Sequence, residues 1–316
     1  MAILGFAVDQ LKGVSWVALC LFVPLLCAPF LWPASLLPAR FFPSCILSYA
    51  LALANSMIPY LHLGPLNIPT FGLMVALGLI LAAYILQADF GRRGIEADAF
   101  SMITLAGVAG VLGAKLYHLL ESPAEFFANP IALLFTRYGF AWFGGFLGGF
   151  GTMLYLSHRA KLPFWQFLDA CTPAASCGYA IGRIGCFLSG DGDYGRPTKL
   201  PWGMSFPNGV VPTTDRVHPA PLYELLIWSA IGALLWHLGT RWMRNPKFTG
   251  QLFVLYLILT GIARFLVEII RINPRSFLGL SNAQAASVLS ILAGVVLFFW
   301  LRRRPQPPPR KSQSRT

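Results

Sequence analysis

From residue 70 onward the sequence alternates between long apolar runs and short polar links, and seven such runs are legible: 70–88, 101–120, 139–157, 172–190, 221–239, 250–270 and 285–301. A helix needs about 20 mostly apolar residues to cross the hydrocarbon core of a bilayer, and only helices and closed barrels satisfy their backbone there. The pattern therefore predicts an all-α, polytopic membrane protein with seven core transmembrane helices. Composition excludes the soluble alternative. Hydrophobic residues make up 56% of the 316 and charged residues 11%, against about 45–50% and 25% in ordinary globular chains. A soluble domain this poor in charge could not cover its own surface, and disorder or a small disulfide scaffold is excluded by the same figures.

An earlier run, Val14 to Trp32, is long enough to span but contains Pro24 and Pro29, with Pro33 just beyond. No basic cluster precedes it and no small-residue cleavage site follows, so an uncleaved anchor is favoured over a signal-like segment. Residues 43–60 are apolar and read as an interfacial helix. The chain thus divides into an N-terminal hydrophobic extension (1–60), a membrane domain (61–304) and a disordered basic tail (305–316).

The 24 Lys and Arg exceed the 12 Asp and Glu, giving a formal net charge of +12. No nucleic-acid module fits among the spans, so membrane lipids, and an anionic headgroup in particular, are the expected partners and nucleic acid is not. One set of loops together with the tail holds thirteen basic residues, including Arg92, Arg93 and Arg241; the alternate set holds six, including Arg196, Arg216 and Arg271. The positive-inside rule puts the tail in the cytoplasm and the 191–220 loop outside. The six cysteines match no zinc or redox spacing and read as small core residues.

Two arginines stand out because they fall within spans: Arg183 in the fourth and Arg264 in the sixth. Inserting an arginine at mid-span costs about 2.5–3.5 kcal/mol, so each needs a partner. Glu268 lies one helical turn from Arg264, and Asp191 or Asp193 follows Arg183 closely in sequence. These pairs can be structural bridges. Alternatively, the two planar guanidinium forks form a phosphate clamp, and the phosphate at hand is a phospholipid headgroup. Gly182, Gly185, Gly190, Gly192 and Gly195 around Arg183 allow close approach of backbone to a ligand or to another helix.

Several ordered segments resemble the prolipoprotein diacylglyceryl transferase family over about Leu63 to Arg304. Phe71-Gly72-Leu73-Met74 resembles the family's Tyr-Gly-Leu-Met, Gly113-Ala114-Lys115 its Gly-Gly-Arg, and Phe143-Gly144-Gly145 its His-Gly-Gly. Gly182-Arg183 through Gly190-Asp191 is similar to the Gly-Arg-x-x-Asn-Phe-x-Asn-Gly-Glu signature. His218-Pro219 to Leu222-Tyr223-Glu224 resembles His-Pro-x-x-Leu-Tyr-Glu, and Arg264 through Glu268 to Arg271 resembles the Arg-x-x-x-Glu stretch. Gln284 and Ser287 resemble the last helix's Gln-x-x-Ser.

The resemblance implies a seven-helix enzyme of the bacterial inner membrane. It would move the sn-1,2-diacylglyceryl group of phosphatidylglycerol onto the lipobox cysteine of prolipoproteins, whose signal peptides are then partners. The products would be a thioether and glycerol 1-phosphate, with no cofactor and no metal. Arg183 and Arg264 would stabilise the departing phosphate, and Asp191 or His118 would join them as catalytic groups. Glu268, Tyr223, Glu224, His218, Gly144, Gly145 and Lys115 would bind substrate. The departures are Phe143 for the family histidine, Cys186 and Ser189 for the asparagines, Asp191 for the glutamate, Phe71 for the opening tyrosine and Thr260 for a tyrosine before Arg264. Since Phe143 cannot act as a base, His118, His218 and Asp191 are the substitutes to weigh. The alternative reading is a phosphatidylglycerol-binding relative with another acceptor or without catalysis.

Overall fold

A computed structural model describes residues 57–121, 123–136, 139–243, 245–276 and 278–303. The Val14–Trp32 run, most of the 43–60 stretch and the tail 305–316 lie outside the described residues.

The end of the 43–60 stretch is not helical. Ile58 precedes Pro59, a context that disfavours α geometry, and Tyr60 opens β1 (Tyr60–Leu63), which pairs antiparallel with β2 (Leu66–Pro69). Gly64 turns this hairpin at φ +62°, a left-handed conformation in which glycine carries no Cβ penalty.

The chain then runs through α1 (Thr70–Arg93), α2 (Ala99–Glu121), the short α3 (Pro123–Ala128) and α4 (Pro130–Phe135), α5 (Trp142–Arg159) and α6 (Phe164–Ser189). A second hairpin, β3 (Met204–Phe206) with β4 (Thr213–Val217), precedes α7 (Ala220–Trp242), α8 (Gln251–Ile270) and α9 (Asn282–Arg303). Among the described residues five helices, α1, α2, α7, α8 and α9, are long and apolar enough to cross a membrane. The protein is thus a helical, multi-pass membrane protein. The other two long helices, α5 and α6, are less apolar, because α6 carries Asp169, Pro173 and Arg183 and α5 is rich in glycine and ends in His158-Arg159.

The fourth apolar run, expected from 172, is part of a helix that starts at Phe164. Its extra turns are anchored by tertiary contacts. Phe167 and Leu168 are buried, and the Asp169 carboxylate accepts the backbone N–H groups of Gly250 (2.6 Å) and Phe253 (2.9 Å). Asp169 thereby caps the start of α8, whose own N-cap, Gly250, has no side chain to do so.

Helix α6 is the hub: α1, α7 and α8 pack on it, α2 pairs with α5, and α9 pairs with α8. The α2–α5 seam depends on glycine. A Cβ on Gly113 would stand 2.4 Å from the Gly144 carbonyl oxygen, and one on Gly144 would stand 2.2 Å from that of Gly113. No side chain fits there, so the backbones touch, the close approach that small residues allow within membranes.

Candidate active site

Arg183 sits near the end of α6, where Gly190 closes the helix in the left-handed conformation (φ +58°), its N–H bonded to the Cys186 carbonyl. The turn sends Asp191 and Asp193 back over the helix end. The loop is held by backbone bonds from Val210 N–H to Ser189 O and from Val211 N–H to Gly190 O, both 2.9 Å. Gly195 N–H donates to His218 O and Arg196 N–H to Ile270 O, both 2.8 Å, which ties the same loop to the start of α7 and the end of α8. Rings of Phe187, Phe206 and Tyr194 pack beneath it. Four segments distant in sequence thus converge on one point.

At that point lies a buried ion cluster. Glu224, fully buried on α7, is its centre: its Oε1 accepts from Arg264 Nη1, and its Oε2 stands 2.8 Å from Arg183 Nε. The Arg183 Nε–H is aimed at the Tyr179 hydroxyl (2.9 Å), so the Glu224 Oε2 contact is one of charge rather than a directed hydrogen bond. Tyr179 in turn donates to Glu224 Oε1 at 3.2 Å. Asp193 bridges Arg183 and Arg271, accepting from both. Glu268 lies 3.2 Å from Arg264 Nη2 and 3.6 Å from Arg271 Nε. It also accepts from Asn273 (2.6 Å) and Ser281 (2.9 Å), while Gln284 and Ser281 bond each other reciprocally.

Three guanidiniums therefore face three carboxylates, with Asp191 a fourth beside them. Burial, followed by the neighbouring Asp193 charge, raises the Asp191 carboxyl above its ordinary pKa. Burial also works to raise Asp193, but Arg183 and Arg271 outweigh it and hold that carboxyl below its ordinary value. Cys186 Sγ and the Asp191 and Asp193 carboxylates lie within 4.8 Å of one another. The Arg183 guanidinium, 3.3 Å from Sγ and bonded to Asp193, already supplies the cation at that spot.

Beside the cluster opens a cavity of about 780 Å³. Its polar end is Arg183, Asp191 and Asp193, and the rest of its wall is almost wholly apolar, drawn from α1, α2, α5, α6 and α8. On α5 the rings of Trp142, Phe146 and Phe150 stack at 5.4 and 5.3 Å along one face of the helix and line it. A charged mouth on a long apolar channel matches the build of a phospholipid.

The model of the prolipoprotein diacylglyceryl transferase family matches residues 59–300. The chain belongs to that family. A relative from Clostridium tetani, named phosphatidylglycerol–prolipoprotein diacylglyceryl transferase, is 32% identical over 76% of this chain and 96% of its own length. Relatives of the same name from Bordetella bronchiseptica and Thermus thermophilus are 35% and 30% identical, over 78% and 77% of this chain and 95% and 96% of theirs.

The family's motif residues do not all meet in space here. Arg183, Arg264, Glu224 and Glu268 meet in the cluster, and Arg183 and Asp191 line the cavity mouth. His218 and Tyr223 form a separate pair, with Nδ1 3.2 Å from the hydroxyl, which also accepts from Trp202 (2.8 Å). Gly144 is part of the α2–α5 seam, and Gly145 faces Ala114 across it. Lys115 donates to the Thr136 carbonyl at 3.1 Å and lies over the Phe140 ring, while His118 lies against Gly139. Phe143 packs on Tyr117 and Trp142 and is not among the cavity's lining residues.

Arg271 and Tyr179 also belong to the cluster, although the sequence does not single them out as site residues. Arg271 reads in sequence as an outer-loop charge, yet its side chain is only 5% exposed, inside the cluster. The signal for Tyr179 was its place one helical turn before Arg183.

Proposed function

We propose that this chain transfers the sn-1,2-diacylglyceryl group of phosphatidylglycerol to the lipobox cysteine of prolipoproteins. The support is the cavity mouth: the Arg183 guanidinium lines it where an apolar channel begins, and Glu224 couples it to Arg264 in the cluster behind. The substrates are those in the names of the relatives. All seven long helices cross the inner membrane, with the reacting end at its outer half and the C-terminus in the cytoplasm.

The phosphate engages Arg183 and Arg264, which Glu224 and Glu268 hold in place. The prolipoprotein thiolate attacks the sn-3 carbon of the glyceryl group. A C–S bond forms, the C–O bond to phosphate breaks, and glycerol 1-phosphate leaves with the bonding electron pair. The guanidiniums stabilise the growing negative charge on the leaving oxygens, the role of preorganised donors in a dry site. The thiol proton goes to Asp191, at the mouth, whose raised pKa makes it a stronger base than an ordinary aspartate. His118 and His218 are placed elsewhere by their contacts with Gly139 and Tyr223, and are not assigned the proton.

The test is to incubate the purified protein with phosphatidylglycerol and a lipobox peptide. Equal amounts of thioether-modified peptide and glycerol phosphate are expected. Glycerol phosphate without peptide modification would show a different acceptor, and bound lipid with no release would show a binding protein.

A further inference from the structure

The cavity changes character along its length. On α5 the exposure of its lining rings falls from 69% at Trp142 to 48% at Phe146 and 38% at Phe150. On α1 it falls from 44% at Phe71 to 6% at Ala82 and none at Leu86. The half nearest Arg183 is thus open sideways, between α1 and α5, while the far half is enclosed. Phe167 and Leu168 of α6 and Leu86 of α1, all buried, close the far end, and Phe90 packs behind Phe167. The Asp169 cap on α8 fixes this end in place.

Phe167 and Arg183 lie sixteen residues apart on one helix, about 24 Å at 1.5 Å per residue. That is longer than the depth of one leaflet, about 15 Å, so a chain that reaches Phe167 from a headgroup at Arg183 is extended rather than coiled. We propose that the enclosed half is an acyl-chain ruler: it takes one fatty-acyl chain of the donor lipid, and Phe167 with Leu168 sets the longest chain accepted. The other chain leaves through the lateral opening and is not measured. The inference rests on the diacylglyceryl-transfer reading for the identity of the lipid, but not for the measurement of its chain.

Ala175 lines the channel about 12 Å below Arg183, two turns along α6, and is itself exposed, so a larger side chain there projects into the lumen. Cys171 lines it one turn lower. The full-length protein in detergent is offered an equimolar mixture of dilauroyl, dipalmitoyl and diarachidoyl phosphatidylglycerol. Bound lipid is read by native mass spectrometry, and transfer to a lipobox peptide is read separately. Wild type is expected to retain dipalmitoyl over diarachidoyl lipid. Ala175→Leu is expected to shift retention towards dilauroyl lipid by about tenfold or more, since each methylene excluded from an apolar site costs about fourfold, or about 0.8 kcal/mol. Phe167→Ala is expected to admit the diarachidoyl lipid. Should Ala175→Leu not fold, Cys171→Leu, one turn deeper, is expected to shift retention the same way by a smaller factor.

Unchanged ratios in a folded Ala175→Leu or Cys171→Leu variant overturn the ruler. Bound lipid sorted by length with no thioether formed leaves the ruler standing and removes the transferase reading. Transfer without sorting does the reverse.

Discussion

Arg183 and Arg264, on separate helices, are held by opposite oxygens of one buried carboxylate, that of Glu224. Glu224→Ala leaves two buried guanidiniums short of their counter-charge. Breaking a buried ion network on one side costs about 3–5 kcal/mol. A fall in detergent thermal stability is expected together with loss of transfer. Glu224→Gln keeps the shape and is expected to restore part of the stability but not the activity. A stable, active Glu224→Ala variant would remove Glu224 from the centre of the site.

Removal of one transition-state donor typically lowers turnover by about a hundred- to a thousandfold. Arg183→Lys and Arg264→Lys keep a charge but lose the fork, and each is expected to lose turnover on that scale, while Arg183→Ala and Arg264→Ala abolish it. Membrane insertion, followed by fractionation, is expected to be unchanged in all four.

Asp191 makes a prediction about pH. Its carboxyl is raised by burial and by Asp193, so it becomes protonated at a higher pH than an ordinary aspartate. A base works only when deprotonated. Transfer is therefore expected to fall on acidification, with its midpoint above the usual aspartate range, and Asp191→Asn is expected to remove that limb along with most of the rate. A transfer-rate profile of the variant that keeps the wild-type acid limb would assign the proton elsewhere.

At Gly113 and Gly144 the α2–α5 seam tolerates no Cβ. Gly113→Ala and Gly144→Ala each put a methyl within 2.4 Å of a carbonyl oxygen. Overpacking of this kind costs about 1–3 kcal/mol. Unfolding temperatures in detergent are expected to fall for both, whereas Gly151→Ala, where a Cβ meets nothing within 4 Å, is expected to be neutral.

The apolar runs were legible because hydrocarbon imposes one solution on the backbone, and Arg183, Arg264 and Glu268 were legible because charge in such a run is conspicuous. Glu224 was harder. Next to Tyr223 and a proline-rich turn it reads as an interfacial residue, and only the packing of α7 against α6 buries it completely. Arg271 was lost among the loop charges for the same reason, since its burial depends on the strand-like pairing of Gly195 with it. The two hairpins carry no strong alternating pattern. Their pairing follows from tight turns and from tertiary contacts such as Phe206 against Phe187 and Tyr194.

The Asp193 bridge bears on the end of the reaction as much as on its start. A phosphate that takes the Arg183 guanidinium must push this carboxylate aside, because Arg183 and Arg271 already point their Nη groups at it. In the proposed transfer, once the glyceryl carbon has gone to sulfur, the same carboxylate is tethered within reach while the spent phosphate is not. Under that reading, an internal anion at such effective concentration would recapture Arg183 and Arg271 and displace the product. The proposed clamp would thus carry its own eluent, so strong phosphate contacts during the reaction need not trap the enzyme afterwards.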